Sequence, residues 1–382
     1  MTPSSGIMYI ILVMIKYDEL LRKLTADGVS DIHFKVGRPP LVRLDGSLKH
    51  LKDAEALKPE DTENMVRHFL SPAMQEKFQK CSEADISYSI KDVCHFRVNA
   101  FRQRGNISLV LRVISNKIPT FSELGLPPVV EKLIDAQRGL ILVTGATGSG
   151  KTSTLAAMVD AINERRPAHI ITIEDPIEFL HRDKRGSINQ REIGVDTESF
   201  AAAFISSLRQ DPDVIMVGEL RDTTTMETAL RAAETGHLVM STLHTSDAKE
   251  TINRITDLFP PNQQRQIRIL LAANLNAVIS QRLLSRADGT GRALACEIMI
   301  ATAAVRDYIL DPDKLSEIRP YMAKGRKQYG SQTFDQALID LLKQGVITEK
   351  EALAHATSAN DLKLKITMGD CDDSNSTSDF EF

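Results

Sequence analysis

The segment LILVTGATGSGKTSTLAAMV, Leu140 to Val159, constrains this chain more than any other. An apolar, β-prone run breaks into glycines and restarts as a helix former, and the spacing G-x-x-x-x-G-K-[ST] is complete in Gly145, Gly150, Lys151 and Thr152. Glycines at such a turn reach positive φ and aim backbone N–H groups inward, while the start of the next helix adds a partial positive end. With Thr147, Gly148 and Ser149 inside it and Ser153 in the first helical turn, the loop reads as a nest for phosphates. Lys151 would reach the β- and γ-phosphates as a point charge, and the Thr152 hydroxyl is placed to ligate Mg²⁺. The expected ligands are ATP and Mg²⁺.

A chain of 382 residues with 42% hydrophobic content is long for one core and implies two domains. The formal net charge is −4, and the last fourteen residues, GDCDDSNSTSDFEF, carry five acids and no base, which leaves about +1 for the rest. No basic excess points to nucleic acid. Cys81, Cys94, Cys296 and Cys371 are scattered without a C-x-x-C pair, so neither a disulfide framework nor a zinc site is indicated, and a reducing cytoplasm suits them.

The apolar run GIMYIILVMI ahead of Lys16 is too short to span a bilayer and lacks a preceding Lys or Arg. Residues 1–15 are therefore an apolar leader or a misplaced start, among Met1, Met8 and Met14, and the reading favours Met14. Residues 16–115 read as a small α+β domain. In it YDELLRKLTADG is an amphipathic helix stopped by Gly28, and LVRLDGSLKHL is a hairpin turning at Asp45-Gly46. A proline-bearing break places a linker at 116–120.

From Phe121 to residue 368 the pattern changes to helices alternating with continuous apolar strands: GLILVTG, HIITIED, DVIMVGE and HLVMSTLH. Buried strands of this kind form a parallel α/β sheet whose ligand site lies at their carboxyl ends. Glu174 and Asp175, Glu219, and His244 follow three of these strands and converge on the phosphate loop. Carboxylates, an imidazole, a metal and a γ-phosphate are the equipment of phosphoryl transfer to water. Glu178 with its neighbours in EDPIE is also readable as a solvated turn, His237 after Gly236 as a helix-end cap, and His244 as a core histidine.

P-loop enzymes usually close the neighbouring strand with an Asp that helps hold Mg²⁺, but here Val217 is followed by Gly218 and Glu219. By elimination Glu174 is assigned to the metal beside Thr152, and Glu219 becomes the water-activating base.

These stretches resemble the secretion-superfamily ATPases of type IV pili, within them the PilT/PilU retraction motors. GATGSGKTSTLAAM matches the Walker A box, ITIEDPIEF the Asp box, LRQDPDVIMVGELRD the glycine-bearing Walker B box and AETGHLVMSTLHTSDA the His box. The resemblance runs from about Ile15 to Ile366. It implies a RecA-like P-loop ATPase domain behind a smaller PAS-like α+β domain, assembled as a homohexamer that withdraws pilin subunits. His237 joins the nucleotide-binding residues on this basis. From FRVNAFRQRGNISLVLR, Arg97 and Arg112 match family positions for arginines that reach the nucleotide, in cis or in trans. Arg104 lies one residue off, with Arg102 as its rival.

The implied location is cytoplasmic, at the inner-membrane pilus base. The implied partners are the pilus platform protein and a paralogous retraction ATPase, with no membrane span of its own. The four-cysteine zinc insertion of assembly motors is missing, which favours retraction. AAVRDYILD, Ala303 to Asp311, keeps Arg306 of an AIRNLIRE-like segment and has otherwise drifted, leaving room for an accessory PilU-like role or a ring subunit that binds ATP without turnover. A small-molecule kinase leaves the whole N-terminal domain unexplained, and a DNA translocase calls for a basic strip. The acidic tail after Met368 is too polar to bury a core and reads as disordered.

Overall fold

The computed structural model describes residues 17–44, 46–51, 54–90, 94–114 and 117–368. The apolar leader, the Asp45 half of the hairpin turn, Asn116 of the linker and the acidic stretch 369–382 lie outside them. The chain divides into two compact units, Met1–Ile118 with Pro176–Leu180, and Pro119–Asp175 with His181–Phe382.

The first unit holds a six-stranded antiparallel sheet in the order β3-β2-β1-β6-β5-β4. Its strands are β1 (Asp31–Lys35), β2 (Leu41–Leu44), β3 (Ser47–His50), β4 (Glu83–Ile90), β5 (Cys94–Gln103) and β6 (Asn106–Ile114). Alternation decides its faces. Phe96, Val98 and Ala100 of β5 and Ile107, Leu109 and Leu111 of β6 are buried, packing with Leu21 and Leu24 of the helix at 17–26 and with Met65, Phe69 and Phe78 of helices Pro59–Phe69 and Pro72–Cys81. Gly28 ends the first helix region with φ +80°, a conformation glycine takes without steric cost. This is the PAS-like half.

The second unit is built on a seven-stranded sheet, order β13-β12-β7-β11-β10-β8-β9, parallel except for the β12–β13 hairpin at one edge. The strands are β7 (Gly139–Thr144), β8 (His169–Glu174), β9 (Ser187–Glu192), β10 (Val214–Val217), β11 (Leu238–Leu243), β12 (Leu275–Ser285) and β13 (Arg292–Ile300). Their apolar runs are continuous because both faces are covered. Ile141 and Val143 of β7 pack with Leu155, Met158 and Ile162 of helix Lys151–Arg165, whereas Leu140 and Leu142 face Met226 and Leu230 of helix Thr223–Glu234. A smaller cluster joins Leu284, Ala293 and Ala295 of the hairpin to Phe334, Leu338 and Leu362 of the C-terminal helices.

Candidate nucleotide site

The loop between β7 and its helix has the backbone that its glycines predict: Gly145, Gly148 and Gly150 have φ +141°, +79° and +93°. A side chain at Gly145 has no room, since a Cβ there would stand 2.5 Å from the Gln281 carbonyl oxygen and 2.6 Å from Ser149 Oγ. Lys151 is 8% exposed, and its ammonium donates to the carbonyls of Gly145 and Ala146 at 2.8 and 3.1 Å, so the cation is held inside the loop. Ser149 Oγ is buried without a hydrogen-bond partner. An unpaired buried hydroxyl beside a constrained cation fits an anionic ligand. Thr152 and Ser153 lie half-buried in the first turn of the helix, and Thr147 and Gly148 are exposed at the tip.

β10 and β11 bring Glu219 and His244 together. Glu219 pairs with Arg221, and its other oxygen lies 3.5 Å from His244 Nε2. Two side-chain hooks fix the strands that carry them: Ser241 Oγ donates to the Val217 carbonyl and Thr242 Oγ1 to the Gly218 carbonyl, both at 2.6 Å. Gly218 stands where the usual Asp would be: its N–H donates to the Ile173 carbonyl at 2.8 Å, and a Cβ there would lie 3.3 Å from that oxygen, a tight contact. Glu174 itself is 5% exposed and accepts from Thr172 Oγ1 at 2.6 Å and Gln190 Nε2 at 3.1 Å.

In the first unit, Arg97 and Arg112 are register partners on β5 and β6, on the face opposite the core. Arg97 Nη2 lies 2.7 Å from Asp85 Oδ2, and Arg112 Nε lies 2.9 Å from Asp31 Oδ1. Burial works to raise the Asp31 pKa, but hydrogen bonds from Arg112 and Ser30 and the charges of Arg112 and Arg43 outweigh it and hold the carboxyl below its ordinary value.

Two expected site residues stand elsewhere. Arg104 occupies the β5–β6 hairpin tip with φ +49°, beyond the closing pair Gln103 and Asn106, and so does not join Arg97 and Arg112. Its rival Arg102 has the parity of the core face and lies over the Phe78 ring at 5.5 Å. His237 precedes β11, at the opposite end of the parallel strands from the phosphate loop of its own subunit: its carbonyl accepts from Gly139 N–H at 3.0 Å, and its ring meets the Ala232 carbonyl of the preceding helix at 3.0 Å. The helix-end reading is the one the geometry supports.

Sequence reasoning missed Arg221, although it stands in the quoted GELRD, Asp85, on the strand just before that of Arg97, and Asp31, 81 residues from the Arg112 it meets. Gln190 was invisible for another reason. It lies on β9, a polar edge strand without an apolar signal, where register sets it opposite Thr172. Among the described residues no group of three or more His, Cys, Asp or Glu could hold a metal by itself. The Thr152 hydroxyl with a single carboxylate is the kind of oxygen set Mg²⁺ takes, its shell completed by phosphate and water.

A phosphate loop on a doubly covered parallel sheet, with glutamates from two neighbouring strands on the same edge, defines a RecA-like P-loop ATPase. The Type II/IV secretion system protein model matches residues 10–359, and the chain belongs to that family. It is 41% identical to the type IV pilus ATPase PilU of Pseudomonas aeruginosa over 93% of this chain and 92% of the relative, and 42% identical to the retraction ATPase PilT of the same organism over 87% and 96%. A crystal structure of the pilus retraction motor PilT with bound ADP superposes with a TM-score of 0.85 and 47% identity, covering 91% of this chain and 98% of that one. DotB of Legionella pneumophila matches with a TM-score of 0.73 and 28% identity, over 90% and 96%.

Proposed function

We propose that this chain is the ATP-hydrolysing motor of type IV pilus retraction, a homohexamer working in the cytoplasm at the inner-membrane base of the pilus, against a platform protein and beside a paralogous ATPase. The observation that carries this reading is the match along both units to the ADP-bound retraction motor, with the phosphate loop intact. Among the described residues no helix is long and apolar enough to cross a membrane. Similarity to PilU over 93% of the chain supports an accessory motor as the second reading.

In this reading the loop N–H groups and Lys151 would hold the β- and γ-phosphates, and Thr152 with one glutamate would hold Mg²⁺. When bound, the ion neutralises phosphate oxygens and the charge that develops on them. Strand order favours a division of the glutamates opposite to that reached by elimination. β10 is two strands from β7 and β8 is three, about 10 and 14 Å at the usual spacing. Glu219, leaning on His244 of the nearer β11, therefore takes the metal side. Glu174, one strand further out, takes the attacking water, accepting its proton as the water oxygen bonds to the γ-phosphorus and the bridging bond to the β-phosphate oxygen breaks, releasing ADP and phosphate. Arg97 and Arg112 supply guanidinium charge to the phosphates, within one subunit or across to the next.

The test is ATPase rate measured against oligomer mass for the purified chain. Turnover that rises with assembly into a ring is expected; a monomer without turnover at any concentration overturns the proposal.

A further inference from the structure

A largely apolar cavity lies away from the phosphate loop. It has a volume of about 800 Å³ and opens beside Arg138 and Asn276, which directly precede β7 and open β12, and beside Ile300 at the close of β13. The phosphate loop lies at the other end of β7, six residues or about 20 Å away. Leu133, Ala136, Ile300 and Tyr329 give the cavity apolar walls, and Lys132, Arg138 and Arg306 give it cations. Its acidic residue, Asp135, is engaged electrostatically with Arg166.

Arg138 and Arg306 have no carboxylate partner among the described residues; the Arg306 Nε donates to the Ala301 carbonyl at 3.1 Å. Tyr329 presents its ring from a stack, 6.4 Å from Tyr321, which in turn meets Tyr308 at 5.9 Å. The size is that of a ligand pocket. Its chemistry asks for an aromatic or aliphatic body carrying negative charge.

We propose that this cavity binds the chain's own acidic, aromatic segment Asp379-Phe380-Glu381-Phe382, from the same subunit or a neighbouring copy. The composition is complementary, since residues 369–382 carry five acids and no base and hold two phenylalanines beside the last acids. The start of the segment is also well placed. Helix Ala359–Met368 packs through Leu362 and Ile366 with Phe334 and Leu338, on a helix that begins shortly after Tyr329. The twelve residues from Met368 to Phe380 span at most about 40 Å, against a radius of gyration of about 18 Å for a compact unit of this size. Phe380 and Phe382 would fill the apolar space against Tyr329, and Asp379 and Glu381 would meet Arg138 and Arg306.

The test uses a fluorescein-labelled synthetic peptide of residues 369–382 and the full chain carrying Phe380→Ser and Phe382→Ser, so that its own segment does not compete. Fluorescence anisotropy should show saturable binding, weakened about tenfold or more by adding Arg138→Glu and Arg306→Glu, and weaker binding to the unmodified chain, whose segment occupies the site. Thermal unfolding of the arginine variants confirms that they are folded. No binding, or binding indifferent to the arginine changes in folded protein, overturns the proposal. So does absence of peptide binding with a changed oligomer mass in the arginine variants, which would make the cavity a contact between copies.

Discussion

Arg97 and Arg112 stand directly opposite each other in the β5–β6 register, and their guanidinium groups turn to opposite neighbours, Asp85 on β4 and Asp31 on β1. Like charges so placed destabilise a sheet. Asp85 and Asp31 offset part of that repulsion from flanking strands.

Replacing Arg112 by Ala should cost about 1–2 kcal/mol and leave the fold intact, because Arg112 is 70% exposed but its partner Asp31 is only 10% exposed and keeps Ser30 and Arg43. Turnover should fall by roughly 10³-fold or more if the guanidinium neutralises charge on the leaving phosphate. Arg97→Ala should behave alike, and Arg104→Ala, at the hairpin tip, should not. Thermal unfolding measured with ATPase rates decides it; parental turnover in both sheet variants would return these arginines to a solvated strand face.

Lys151→Ala should abolish turnover while the fold persists, since the loop loses the cation set to meet the β- and γ-phosphates. Gly145→Ala should also fail to bind nucleotide, for a geometric reason: the added Cβ would meet the Gln281 carbonyl oxygen at 2.5 Å in a backbone with φ +141°. Fluorescent nucleotide titration checks both, and tight binding by either variant would contradict the assigned loop.

His181 provides a pH signature. Its side chain is 1% exposed with Nδ1 3.9 Å from Asp160, and burial pushes its pKa down to about 4 although Asp160 pulls upward. The folded protein keeps the ring neutral, while the unfolded chain takes up a proton near its ordinary value of about 6.5. This stability is fully present above that value and is lost as pH falls towards 4, to a limit of about 3 kcal/mol. Chemical denaturation from pH 7 to 4 should show a shallower decline for His181→Gln; an unchanged slope would assign the acid sensitivity to other groups.

The phosphate loop and the four strands around it were legible because local rules dictate them: glycines at required positive φ, and apolar runs bounded by polar ends. The sheet's remaining strands were not. β9 reads SINQRE and has no apolar period, and the β12–β13 hairpin lies after the motifs, at the far edge. His237 shows the limit of motif reasoning within one subunit, since adjacency in a quoted box says nothing about which end of a strand a residue occupies. Assigning the metal by elimination ignored strand order, which pairing across the whole sheet determines and no local window contains.

That order leads to a test of the two glutamates. If Glu174 activates water, Glu174→Gln keeps shape and hydrogen bonding to Thr172 and Gln190 but removes the base. ATP and Mg²⁺ should still bind, and turnover should fall by roughly 10² to 10⁴ with the magnesium midpoint unmoved. Glu219→Gln instead alters the carboxylate nearer the loop, beside Arg221 and His244. Its ATPase should require more magnesium, and part of the lost rate should return as the ion is raised, because the water-activating group is intact. A magnesium titration of ATPase with nucleotide binding measured in parallel separates the two. The opposite pattern, with Glu174→Gln shifting the magnesium midpoint and Glu219→Gln losing turnover alone, would restore the assignment by elimination and show that closure of the site carries Glu174 past β10 to the metal.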